Sequence, residues 1–148
     1  METINHECYV SLEVVKLLKE AGFDWKCKYA YIITPDGDMP TGEEGMLIEY
    51  VENVNWLVSA PTLDVAQRWL REVKNIYVQL DMHMPSPTDY GYAYALMIKV
   101  KRKGLDKGEE IEYNSLDCLD CETSYSTYES ALEAGIKKAL EIILEKKE

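Results

Sequence analysis

Cys118-Leu119-Asp120-Cys121 is the segment whose residue types and spacing come closest to a reactive or metal-binding site. Two thiolates separated by two residues can close on one zinc ion, and a tetrahedral site then needs two further ligands. His6 and Cys8 are the candidates to supply them if the N-terminus lies beside this loop, with Cys27 and His83 as the remaining donors. No second Cys-x-x-Cys is present. The same spacing serves thiol–disulfide exchange where a strand feeds directly into a helix. Here the helix signal follows only at Ser126, so that context is missing. Two ordinary thiols in a loop are the favoured reading, and no metal or cofactor is expected. Stoichiometric zinc, lost together with stability on Cys118→Ser, would mark the metal reading.

Other chemistry-bearing residues are sparse. His6 and His83 are the only histidines, and neither accompanies a nucleophile motif such as Gly-x-Ser-x-Gly. A Cys–His pair formed by Cys27 or Cys8 with His83 ranks low for the same reason. Asp36, Asp38, Glu43 and Glu44 make an acidic loop without the alternating ligand spacing of a calcium-binding loop. Tyrosines number eleven against one phenylalanine, and Tyr90, Tyr92 and Tyr94 cluster. Tyr92 and Tyr94 share parity with Leu96 and Ile98, so they are expected in a core rather than as stacking platforms. Lys99, Lys101, Arg102 and Lys103 form the one basic cluster, read as a solvated strand face. There is no Walker loop and no Gly-x-Gly-x-x-Gly. No catalytic residue is assigned.

The elements that must position these residues follow from pattern. Leu12 to Ala21 predicts a helix, capped by Ser11, striped by Val14, Val15, Leu18 and Ala21, and stopped by Gly22. Tyr29 to Thr34 and Leu47 to Val51 read as two strands joined through the turn signal Pro35-Asp36-Gly37-Asp38. A second helix follows Pro61, with Thr62 as N-cap, Leu63, Ala66, Leu70 and Val73 as its buried face and Trp69 bordering it. Asn75 is placed to end it. Ile76 to Met82 and Tyr92 to Lys101 alternate apolar and polar residues as half-buried strands, and Glu110 to Tyr113 makes a short third. The last helix is read with a capping box of Ser126 and Glu129 and a stripe of Tyr128, Leu132, Ile136, Leu140 and Ile143.

Length and charge bound the class. At 148 residues with 47% hydrophobic and 29% charged residues, the chain suits one globular domain without disulfides or metal. No apolar run approaches the ~18–20 residues that span a bilayer. The N-terminus is acidic and lacks a signal-peptide pattern, so a cytoplasmic location with reduced thiols is expected. Net charge is −11 and both parts of the chain are acidic. Nucleic-acid phosphates are repelled by such a surface.

Three resemblances bear on the fold. Helix–strand–strand–strand–helix from Thr62 to Glu148 resembles the double-stranded-RNA-binding domain. That family grips phosphate with basic residues near the last helix start, where this chain has Thr127, Glu129 and Glu133. The resemblance implies the fold and not the RNA binding. A strand leading into Thr127-Tyr128-Glu129-Ser130-Ala131 is similar to HicB-type antitoxins, in which a further strand follows the helix; this sequence stops instead at Glu148. A wider resemblance is to small uncharacterised α+β proteins of gut Bacteroidales and their phages. It rests on Ala60 to Leu63, Trp69 to Glu72 and Ile76 to Leu80. It implies a mobile-element setting and no reaction.

The expected architecture is a single α+β domain over 1–148. A helix-plus-hairpin subregion occupies 1–58 and an α-β-β-β-α core occupies 59–148. A small, mainly antiparallel sheet is covered on one face by the second and third helices, while the first helix and its hairpin pack at an edge or end. The expected function is a non-catalytic accessory or protein-interaction role with an unknown protein partner, without membrane or nucleic acid. The alternative is a small zinc-binding or thiol-dependent enzyme using Cys118 and Cys121. Binding to nucleic acid grows from clustered cations and counterion release. Lys99 to Lys103 are followed closely by Glu109, Glu110 and Glu112, and Glu129 and Glu133 open the last helix. No binding to duplex DNA or RNA at physiological salt is expected. Sub-micromolar affinity with a steep salt slope in an anisotropy titration would contradict this.

Overall fold

The described chain runs α1 (Leu12–Ala21), β1 (Tyr29–Ile32), β2 (Leu47–Glu49), β3 (Leu57–Ala60), α2 (Leu63–Val73), β4 (Ile76–His83), β5 (Gly91–Lys103), β6 (Glu109–Leu116) and α3 (Tyr128–Glu145). The computed structural model describes residues 8–33, 45–54, 57–83, 91–103, 109–116 and 125–145, and the side chains of these except 83, 99–103 and 109–116. The strands pair antiparallel in two three-stranded sheets, ordered β2-β1-β3 and β4-β5-β6. The class is therefore α+β with antiparallel sheets, as the pattern predicts, but in two sheets rather than one. The difference comes from Leu57–Ala60, a short strand that gives the N-terminal hairpin a sheet of its own. Its alternation is too brief to stand out beside the helix signal that begins at Pro61.

Helix ends follow local chemistry. The Ser11 hydroxyl accepts from the Val14 amide at 3.4 Å. Gly22, at φ 101°, closes α1 with the Phe23 amide reaching back to the Leu18 carbonyl at 2.9 Å. The Thr62 hydroxyl accepts from the Val65 amide at 3.3 Å and opens α2. Lys74 is the C-cap of α2, and Asn75 follows it at φ 60°. Asparagine tolerates that left-handed conformation because its short polar side chain bonds locally. In α3 the cap is Thr127, not Ser126: the Thr127 hydroxyl accepts from the Ser130 amide at 3.0 Å. The two adjacent hydroxyl residues offer nearly the same chemistry, and the register of the first turn selects the second.

A continuous core joins both sheets. It runs from Val10, Val14, Val15 and Leu18 through Tyr31 and Ala60 to Trp69, Leu70, Val78, Leu96, Ile136 and Leu140. On β4 and β5 the buried apolar side chains among the described residues are Ile76, Val78, Tyr94 and Leu96, on the face toward α2 and α3. Gln79 of the opposite parity is exposed, and Tyr77, Ala95 and Met97 are half-buried. This is an antiparallel sheet with one face packed and one wetter. Trp69 is 1% exposed and lies in the core, whereas Val73 is 47% exposed. The indole packs edge-on against Phe23, which follows α1, and the Lys74 ammonium lies over it. On α3 the buried set is Ala131, Leu132, Gly135, Ile136, Ala139 and Leu140, while Tyr128 is 46% exposed. Tyr128 instead packs edge-on against Tyr92, ring centroids 5.8 Å apart. No described helix is long and apolar enough to cross a membrane.

The first sheet is buried on both faces. Tyr31, Leu47 and Ala60 face the main core. Ala30, Ile32 and Leu57 form a second, smaller core with Ile48 and Val54. Strands β2 and β3 are both antiparallel to β1 and so parallel to each other. Their connection must cross β1. Parallel neighbours on either side of one strand are about 10 Å apart, and about seven extended residues reach roughly 23 Å. That suffices because the strands are short. Val54 is carried across the face by this connection, which kinks at Asn53, φ 65°.

Helix α3 meets β4 and β5 at close range through Gly135. A Cβ there would lie 2.6 Å from Val78 Cγ1 and 3.2 Å from Tyr94 Cβ. Overpacking of this kind costs about 1–3 kcal/mol. Gly135→Val is therefore expected to lower unfolding free energy by about 2–3 kcal/mol in urea titration. An unchanged midpoint would show that the helix moves off the sheet without cost.

Candidate functional site

A cleft of about 400 Å³ lies where the end of α1, the segment from Phe23 to Lys26 and strand β3 meet. Val15 and Lys19, four residues apart, put one face of α1 along it. Leu57, Val58 and Ser59 supply the β3 side. Tyr50, Glu52 and Asn53 of the crossing connection close it further. The floor is apolar and the rim charged. Lys26 pairs with Glu52 at 3.6 Å across this rim, both largely exposed.

The aromatic wall is fixed from α2. Phe23 packs edge-on against buried Trp69, centroids 5.4 Å apart, and lies 6.2 Å from Trp25. The Arg68 guanidinium sits over the Trp25 ring at 5.9 Å and is itself held by Glu72, one helical turn on, at 3.1 Å. Thus Trp25, half-buried in a connection, has a set orientation without being part of a helix or strand.

Helix α3 holds the other wall. Glu133 Oε1 accepts from the Ser11 amide at 2.6 Å, and the Lys137 ammonium meets Glu13 at 2.9 Å. A carboxylate at a helix N-terminus satisfies an orphan donor and complements the helix dipole. The Lys137 ammonium is held above the ordinary lysine range, chiefly by its hydrogen bond to Glu13. The buried Tyr31 phenol is pushed up by burial and then by the Glu133 charge. It stays protonated and donates to the Val10 carbonyl at 2.7 Å.

The residues singled out for chemistry do not gather here. Cys118, Cys121 and His6 lie outside the described residues. Cys8 is exposed before α1, and Cys27 is half-buried just ahead of β1. His83 ends β4, in the other sheet. Among the described residues no three or more His, Cys, Asp or Glu are grouped to hold a metal ion. The basic stretch lies on β5, where Arg102 and Lys103 are register partners of Glu110 and Glu109. Tyr94 is buried as its parity predicts, and Tyr92 is half-buried. The cleft residues Phe23, Trp25, Tyr50 and Ser59 carried no motif. The one available signal was a tryptophan left in a connection between a capped helix and a strand.

Comparison with known protein families, with characterised proteins and with solved structures yields no match. The geometry of the site therefore stands alone.

Burial pushes the Cys27 thiol up to about 11, and it donates to the Trp25 carbonyl at 3.5 Å. Only the thiolate is nucleophilic. With the other three cysteines replaced by serine, Cys27 is expected to alkylate at pH 8 on the order of 100-fold more slowly than a free thiol of ordinary pKa. The rate should climb as pH rises toward 11. Iodoacetamide kinetics at a free-thiol rate would contradict the shift.

Proposed function

We propose that this is a non-catalytic accessory protein that acts by binding another protein through the cleft beside β3. One observation carries the reading: an apolar floor of Val15 and Val58 backed by Phe23 and Trp25, inside a rim of Lys19, Asp24, Lys26 and Glu52. Protein interfaces have this anatomy, an apolar and aromatic centre within a polar rim. Tryptophan, tyrosine and arginine are the residues that dominate their energetics. Trp25 with Arg68 stacked on it, and exposed Tyr50 at the margin, supply that set. Met46 and Val51, large exposed apolar side chains on either side of β2, extend the apolar character beyond the cleft. A cytoplasmic location and a mobile-element setting belong to the same proposal, the second resting on the sequence resemblance.

The test is site-specific capture. A photo-reactive amino acid at Tyr50 should cross-link a distinct protein in the native host. The same group at Gln79, on the far sheet, should not. Trp25→Ala should reduce the Tyr50 product at least five-fold while circular dichroism shows the fold intact. Equal capture at both positions, or indifference to Trp25→Ala, would overturn the reading.

A further inference from the structure

Strand β3 is an edge of its sheet, and the pairing of β1 fixes where its backbone groups point. The Ile32 amide donates to the Met46 carbonyl, and the Tyr50 amide to the Lys28 carbonyl. Residues of that parity on β1 therefore face β2. Tyr29 and Tyr31 face β3, opposite Ala60 and Val58. In an antiparallel pair the bonded residues alternate along each strand. Leu57 and Ser59 thus turn their N–H and C=O away from β1, off the edge.

Neighbours of the same parity are partly occupied. The Leu57 amide turns back to the Val54 carbonyl at 3.5 Å, and the Pro61 carbonyl takes the Val10 amide at 3.2 Å. Ser59 lies between them and lines the cleft. Among the described residues no further hydrogen bond reaches it. Ser59 is half-buried in the wall of the cleft, and a backbone N–H and C=O turned off a strand edge call for a hydrogen-bonding partner.

We infer that the cleft takes an extended segment of a partner protein, which adds to β3 as a fourth strand and pairs with the backbone of Ser59. This rests on the reading of the cleft as a protein-binding surface and names what that surface recognises. Only an extended backbone offers donors and acceptors at ladder spacing. A helix, about 10–12 Å across, would leave Ser59 unpaired. On the α1 side of β3, Val15, Val58, Phe23 and Trp25 belong to the main core or pack against it, so the strand presents an apolar or aromatic side chain there. Asp24 and Glu52 on the rim offset Lys19 and Lys26, so the lysine or arginine that flanks the segment answers the net charge of −11 of the whole chain, which attracts basic segments at long range.

The probe is a displayed library of random heptapeptides flanked by lysines. A selected peptide is then synthesised with each backbone amide N-methylated in turn and titrated against the full chain by anisotropy. Methylation of the one amide that donates to the Ser59 carbonyl should weaken binding at least ten-fold, with the amides on either side of it within two-fold. Ser59→Pro, which removes the donor at an edge position that tolerates proline, should lose at least ten-fold. Ser59→Ala should not. Should Ser59→Pro fail to fold, hydrogen exchange of the Ser59 amide in the unaltered chain decides, and it should slow at least ten-fold with peptide bound. Uniform tolerance of N-methylation, or unchanged exchange at Ser59, would overturn strand addition. If peptides bind, depend on Trp25 and show no such sensitive amide, strand addition falls and the interaction reading stands. If no cleft-dependent peptide emerges, strand addition also falls, and capture through Tyr50 decides the interaction reading separately. A concentration-dependent dimer that Ser59→Pro abolishes would make a second copy the occupant and contradict a partner protein.

Discussion

The close approach of α3 to β4 and β5 is the constraint on which the rest of the molecule depends. Gly135 lets the helix backbone approach the sheet and leaves no room for a Cβ against Val78, and Ala131 and Ala139, one turn to either side, are fully buried. Shape does this work more than hydrophobicity, since these residues bury little apolar area each. The same helix then presents Leu132, Ile136 and Leu140 to the core that α1 and α2 share. Its Glu133 and Lys137 reach the first turn of α1. One helix therefore serves the second sheet with its small residues and the first helix with its charged ones. The Glu13–Lys137 pair is exposed enough to contribute little on its own. The Glu133 carboxylate is the stronger link, because it completes a helix end that would otherwise leave an amide unpaired.

From that constraint the cleft follows. With α1 anchored, its face at Val15 and Lys19 lies beside β3, and Gly22 turns the chain so that Phe23 and Trp25 return toward α2. Trp69 and Arg68 then set the two aromatic rings from behind. Among the described residues no strand pairs with the outer edge of β3, and the chain that follows residues 8–10 has become a helix. Residues 8–10 meet the strand's continuation at Pro61 and Thr62, then Ser11 caps α1. A local capping choice thus decides that a strand edge faces a cleft.

Much of the fold was legible in sequence where local chemistry and periodicity agree. The bounds of α1, the Thr62 cap and the alternation of Val78, Tyr94 and Leu96 are of this kind. Less legible were positions decided by tertiary fit. Gly135 is buried by a contact that no hydrophobic stripe records, and Trp69 is buried against Phe23 while Val73, one turn on, is exposed. β3 was hidden by its brevity and by the proline that follows it. The cleft was not legible at all. Its residues come from a helix end, a connection, a crossing segment and an edge strand, and nothing in their order along the chain brings them together. The cysteine pair that drew attention in the sequence, Cys118 and Cys121, lies outside the described residues.

Native-state hydrogen exchange tests most directly whether α3 ties the N-terminal half, and with it the cleft, to one cooperative core. Amides of Val15, Leu18 and Tyr31 should open with the same free energy as those of Ile136 and Leu140, and with the same dependence on denaturant. If the α1 and β1 amides instead exchange through a separate opening well below the global unfolding energy, the two sheets are independent units and the account of the cleft's support is wrong.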